Sequence, residues 1–258
     1  MDYWIKRNLK AQENLTSKNE KEVRKQLTKY YQKSTESIIG QFEKTYEKII
    51  LSKAEGKEPT PADLYKLDTY WKMQGQLRQE LRKLGEKQIA TMTKMFELQY
   101  FDIYYAIAIP GEEMFSQIDT ALVTQMINQI WCADGKSWSQ RIWENTDLLQ
   151  EALNENLIAC VATGKKTSEL KKLLQEQFNV SYNRADALVR TEMAHIMTQA
   201  AQKRYEDYGM TEIEVWASKD ERRCEHCGKL HKKRFPIGAK MPIPAHPRCR
   251  CTVIPVVE

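Results

Sequence analysis

Four of the six cysteines and three of the four histidines of this chain fall between Trp216 and Cys251. Cys224 and Cys227 form a C-x2-C pair, and 18 residues later come His246, Cys249 and Cys251. Thiolate and imidazole donors at such short spacings can converge on one ion, and tetrahedral zinc closes the intervening loop without a hydrophobic core. Five donors compete for four places. The preferred set is Cys224, Cys227, Cys249 and His246. Cys251 is the substitute, because Cys249 and Cys251 stand at i and i+2 of an extended segment and share a face. His226 and His231 lie on a Lys/Arg-rich loop and are expected as solvated side chains. A cluster of buried free thiols is the alternative to a metal. A closed site of four protein ligands leaves no open coordination position, so the expectation is one structural zinc and no catalysis.

The same stretch carries the chain's excess charge. The formal net charge is +5, yet from Lys219 to Cys251 there are ten Lys/Arg against three Asp/Glu, so the remainder is slightly acidic. Arg222, Arg223, Lys232, Lys233 and Arg234 are candidate contacts for nucleic-acid phosphates or for an acidic protein partner. A solvated loop that offsets thiolate charge explains the pattern equally well. Phe235 is the one aromatic that this loop offers for stacking on bases.

The elements that would position these groups are mostly helical. From Tyr3 to Leu51 the chain has a single glycine, and Val23, Leu27, Tyr30, Ile38, Phe42, Tyr46 and Ile49 recur at helical spacing. This predicts a long amphipathic helix, with a break expected at L-T-S-K-N (Leu15 to Asn19). A loop follows from Lys53 to Pro61. Thr60, Pro61 and Asp63 then read as a helix start. Gly85 is expected to end that helix before a third, Glu86 to Ile109, and a fourth spans Ser116 to Trp131. Another runs from Trp138 to Gly164, and its tryptophan, with Trp131 and Trp143, is expected in a helical core. Two more are expected, Thr167 to Phe178 and Ser181 to Tyr208, the last ending at Gly209. Glu212 to Ala217 alternates as a half-buried strand, and Thr252 to Val257 can pair with it, Pro255 marking an edge. The fold class is therefore mainly α: a helical body with a long N-terminal helix (1–164), then a small C-terminal α+β zinc-binding module (165–258). No apolar run approaches the ~18 residues of a membrane span, and M-D-Y-W-I-K-R is no leader peptide. Clustered cysteines suit a reducing cytoplasm.

Taken together, R-T-E-M-A-H (Arg190 to His195), Trp216, Asp220, C-x2-C-x2-L (Cys224 to Leu230) and H-P-R-C-R-C (His246 to Cys251) resemble the phage head-morphogenesis family. These are minor capsid proteins similar to the F protein of phage Mu. The resemblance covers about the last ~80 residues in the right order. Y-W-I-K-R (Tyr3 to Arg7), ahead of a charged helix, is also similar to the opening of such proteins. The resemblance implies a non-enzymatic component of the virion interior, made in the bacterial host cytoplasm. It would be associated with the portal, scaffold or major capsid protein and aid head assembly and the packaging or ejection of phage DNA, without a membrane. Arg190, Glu192, Trp216 and Asp220 would then be structural, linking helix and zinc module, with His195 packed beside them.

A different class, an HNH-like zinc nuclease, would need a water-activating His with further Asn, Asp or Glu groups near the knuckles. Between Cys227 and Cys249 there is His231 and His246 but no Asn, Asp or Glu. A zinc-containing DNA-binding protein without catalysis is the other alternative.

Overall fold

The computed structural model describes residues 3–51, 60–109, 117–217 and 223–256. The described residues form seven helices and three strands. In order they are α1 (Tyr3–Leu51), α2 (Pro61–Tyr65), α3 (Asp68–Ala106), α4 (Thr120–Ile127), α5 (Trp138–Thr163), α6 (Thr167–Asp207), β1 (Glu212–Trp216), α7 (Glu225–Leu230), β2 (Arg234–Pro236) and β3 (Thr252–Pro255). The class is mainly α. The loop expected at 53–61 lies largely outside the described residues.

Three expected helix boundaries are absent, each for a tertiary reason. The break at Leu15 to Asn19 does not occur. Thr16 and Asn19 are buried and satisfy polar groups of α3 instead: Gln99 Nε2 donates to Thr16 Oγ1 at 2.6 Å, and Asn19 Nδ2 donates to Gln99 Oε1 at 2.9 Å. Gly85 does not end a helix, because α3 runs through it. A Cβ there would meet Trp143 Cζ3 at 2.5 Å, so the glycine is a close-approach site for an indole. Ser181 does not start a helix either. It is buried inside α6, where Tyr31 Oη lies 3.0 Å from its hydroxyl and Asn145 Nδ2 donates to its carbonyl at 2.9 Å.

By packing, the chain divides into two compact units, with boundaries inside α1, α3, α5 and α6: 1–24, 91–138 and 186–258 form unit 1, and 25–90 and 139–185 form unit 2.

Unit 2 is built from helices around an apolar core. Leu27, Ile38, Phe42, Tyr46, Leu77, Leu81, Leu84, Leu153, Leu157 and Leu174 are all essentially inaccessible to solvent. Its start at α2 follows the expected chemistry. The Thr60 backbone N–H and hydroxyl both donate to Asp63 Oδ2, at 3.0 and 2.7 Å, with Pro61 in the first turn where its missing N–H costs nothing. Buried tyrosine hydroxyls find acceptors: Tyr46 donates to the Cys160 carbonyl at 3.0 Å and also to that of Lys165.

Unit 1 relies more on polar ties. Asn8 exchanges two bonds with Ala108 just past the end of α3, at 2.9 and 3.2 Å. The Thr252 hydroxyl donates to Gln12 on α1. Trp138 is buried edge-on against Phe96 and donates to the Ile127 carbonyl at 3.0 Å, a core role as expected. α6 ends at Gly209 in the left-handed region, φ 75°, a backbone conformation that a side chain would strain. The chain then enters an antiparallel sheet of order β2-β1-β3, in which Ile213 pairs with Phe235 and with Pro255. Pro255 thus sits in an edge strand, where its missing N–H is tolerated.

Candidate metal centre

The first donor pair opens α7. Cys224 is its N-cap, and its Sγ accepts from the Cys227 backbone N–H at 3.3 Å, while Gly228 N–H donates to the Cys224 carbonyl at 2.9 Å. A C-x2-C pair at a helix start therefore brings both sulfurs to one side of the first turn. The second pair sits on a turn closed by Cys249 N–H to the His246 carbonyl at 3.1 Å, with Arg248 at φ 63°. Leaving that turn, the chain carries Cys251 into β3.

These two turns bring the five sequence candidates together. Cys224, Cys227 and His246 form one group and Cys227, Cys249 and Cys251 another, each with its donor atoms within 4.8 Å of one another. Cys227 belongs to both. No cysteine is in a disulfide. Cys227 Sγ and Cys249 Sγ stand 3.8 Å apart. That is far beyond a disulfide bond but equals the edge of a tetrahedron with metal–sulfur distances of about 2.3 Å, which is about 3.8 Å. The donor set is sulfur with one imidazole, suited to a borderline-soft divalent ion, and the cluster can hold a metal.

The electrostatics point the same way. A backbone N–H from Cys227 lowers the Cys224 thiol, and a bond from Cys251 lowers that of Cys249 to about 5. Burial pushes Cys227 up to about 12. Cys249 is thus prepared as a thiolate, with Cys224 shifted in the same direction, beside a third sulfur that resists ionising because it is buried. A cation would resolve that conflict by stabilising all of them.

The other sequence candidates are placed as follows. Trp216 packs on the ring of His231 at 4.7 Å, and His231 Nδ1 accepts from Ala217 N–H at 3.3 Å. His231 is therefore half-buried and tied to β1, not solvated as expected, while His226 is exposed. Glu192 is buried and accepts from Trp131 Nε1 at 2.9 Å, and His195 stacks on the same indole at 4.3 Å. Burial lowers His195 to about 4 and keeps it neutral. Arg190 pairs with Asp186 at 3.4 Å. Arg223, Lys232, Lys233 and Arg234 are exposed, and Asp220 and Arg222 lie outside the described residues.

Three participants, Asp186, Arg24 and Gln12, had no sequence signal, and Thr191 lies in the R-T-E-M-A-H stretch. Asp186, Thr191, Arg24 and Gln12 join the donor turn to the helices: Arg248 N–H donates to Thr191 Oγ1 at 3.1 Å, and Arg248 Nη2 to Asp186 at 3.2 Å. Beside the turn, a cleft of about 450 Å³ is lined by Glu13 and Glu20 of α1, Met197 of α6, Trp216, Cys249 and Arg250. The cluster thus borders a solvent cleft on one side.

A mainly helical chain closing on a small sheet and a Cys/His cluster defines the class: a helical protein with a metal-competent C-terminal module. The particular family follows from comparison. Residues 151–254, a segment that contains every donor, match the family described as Phage Mu protein F like protein. The family points to phage head morphogenesis. A curated relative is the NAD(+)--arginine ADP-ribosyltransferase EFV of Enterococcus faecalis, 28% identical over 185 residues, which covers 64% of this chain and 38% of that protein. The chain therefore matches well under half the length of this relative. No solved structure matches. No helix among the described residues is long and apolar enough to cross a membrane.

Proposed function

We propose that the chain is a non-enzymatic minor capsid protein of a phage head. It acts inside the virion with the portal, scaffold or major capsid protein and aids head assembly and DNA packaging or ejection. The single observation that carries this is the coincidence of the family match with the five-donor module. In this reading residues 1–164 supply a helical body and 165–258 the functional module, whose one structural zinc is held by Cys224, Cys227, Cys249 and either His246 or Cys251. Arg190, Glu192, Trp216 and Asp220 serve as structural links. Arg223, Lys232, Lys233 and Arg234, with Arg222, are accessory phosphate contacts.

A second reading, a zinc-containing DNA-binding protein or HNH-like nuclease, is favoured by the cleft beside Cys249. It is weakened by the short supply of catalytic groups: His195, stacked and neutral, and His231, tied to β1, are poorly suited to activate water. The transferase activity in the relative's name is not carried over, since the match leaves most of that protein uncovered.

Quantitative mass spectrometry of gradient-purified phage particles and DNA-free procapsids tests the proposal. A few to some tens of copies in both is the expected result. Absence from both would remove the capsid reading and bring the DNA-binding and nuclease readings forward.

A further inference from the structure

Three guanidinium groups converge on one buried carboxylate in unit 1. Asp186, its side chain 6% exposed, pairs with Arg24 Nε at 2.6 Å, Arg190 Nε at 3.4 Å and Arg248 Nη2 at 3.2 Å. The three come from α1, α6 and the donor turn. A fourth, Arg250, is exposed, and it acts with Arg190 and Arg24 on the carboxyl of Glu20, the other acid of the cluster. Four cations against three carboxylates, with Glu13 of the adjoining cleft included, leave a surplus of one positive charge. Lys21, exposed one turn before Arg24, adds a further one.

Neutralising Asp186 requires one arginine, not three. Gathering like charges costs repulsion that falls only with distance and screening. A surface that keeps them together retains an attraction for another anion. The guanidinia that would meet it are accessible, the Arg24 and Arg248 side chains being 39% and 49% exposed.

The backbone indicates that the aim of Arg248 is built. A positive φ is uncommon at a bulky non-glycine residue. Here φ 63° is held by Arg248 N–H on Thr191 Oγ1 at 3.1 Å and by Cys249 N–H on the His246 carbonyl at 3.1 Å. Strain maintained by surrounding bonds at a residue that joins a charge cluster points to function. The donor turn thus fixes Arg248 as well as carrying Cys249.

We propose that Arg24 and Arg248, paired with Asp186, together with Arg250 beside Glu20 and Lys21 one turn before Arg24, form a docking surface for the phosphodiester backbone of duplex DNA. Guanidinium forks match two oxygens of one phosphate. The Asp186 cluster, apart from the cleft beside Arg250, is built of charge and forked donors. That suits a phosphate chain better than a protein partner, which relies on buried anchors. The exposed cations Lys232, Lys233 and Arg234 are a weaker candidate, since Arg234 lies 4.0 Å from Glu212 and is partly offset by it. DNA as the occupant rests on the head-component reading, and the arginine geometry does not.

The test is fluorescence anisotropy of a labelled mixed-sequence duplex of about 30 base pairs, long enough for several phosphate contacts, titrated with the full chain at a series of salt concentrations. The wild type should bind at low salt, with affinity falling linearly on a log–log plot. Arg24→Gln and Arg250→Gln should each weaken binding about five- to tenfold and reduce the salt slope by about 1. Metal content and circular dichroism should stay as in the wild type. A Lys232→Gln/Lys233→Gln pair, at accessory phosphate contacts, should weaken binding less than either arginine variant does, and a larger loss there than in both arginine variants would overturn the proposal. Arg250 is exposed, so its variant keeps the test available if Arg24→Gln fails to fold. No salt-dependent binding by the wild type, unchanged affinity in both arginine variants, or equal displacement by poly-glutamate at matched charge would each overturn the proposal. Those failures would leave the head-component reading standing. Absence from particles with DNA binding intact would do the reverse.

Discussion

Unit 2 closes around leucine, isoleucine and aromatic side chains contributed by helices, whereas the C-terminal part of unit 1 has a three-stranded sheet of short strands and a Cys/His cluster beside it. Apolar burial of the first kind scales with area and needs no ligand. A sheet of strands three to five residues long buries little by itself, so its segments must be joined by something else. The polar ties from Gln12, Thr191 and Asp186 supply part of this. A cation held by the donor cluster would supply the rest. The two units should therefore fail in different ways.

The largest effect is expected at the donor shared by both groups. Cys227→Ser should abolish metal binding and open the segment after Gly209 to limited proteolysis, with most helical ellipticity retained, since structural zinc contributes on the order of 10 kcal/mol to small modules. Global loss of ellipticity would show that the two regions are not separable. In unit 2, Phe42→Ala should cost about 3–5 kcal/mol in denaturant unfolding, by loss of burial and a residual cavity, with metal content unchanged. Loss of metal in that variant would blur the same distinction.

Acid should act on unit 1 through His195. Its folded pKa of about 4 lies below the ordinary 6.5, so the unfolded chain takes up the proton first as pH falls. The stability this group contributes is present above pH 6.5 and lost between 6.5 and 4, on the order of 3 kcal/mol in all. His195→Phe should flatten that part of the stability–pH curve, as followed by urea unfolding at fixed pH values. A slope as steep as in the wild type would assign the window to other groups. The smallest effect is local to unit 2. Gly85→Ala should destabilise by about 1–2 kcal/mol as the Trp143 ring is pushed aside, partly offset by the better helix propensity of alanine. A gain in melting temperature would mean that the indole relocates freely.

Local chemistry was readable in the sequence where neighbours in the chain settle the outcome. The Thr60–Pro61–Asp63 start, the glycine end of α6, the alternation of β1 and the apolar stripe of α1 all follow from contacts within a few residues. The convergence of the five donors also followed, because short loops and two-residue spacings leave few alternatives. Contacts remote in sequence were not readable. Gly85 looks like punctuation until Trp143 is seen over it, and Ser181 looks like a cap until Tyr31 and Asn145 take its polar atoms. Asp186 looks like any helix-surface acid, since two of its three arginines lie far away in the chain. Both α7 and β2 were missed for a related reason: each is a few residues long and is held by the fold around it.

The most direct test is the metal content of the purified full chain, measured by inductively coupled plasma mass spectrometry alongside a thiol titration. The account predicts one zinc per chain, absent from Cys227→Ser and retained in Cys132→Ser. A reduced wild-type protein that holds no metal, reacts at all six cysteines and keeps residues 210–256 resistant to protease would contradict it.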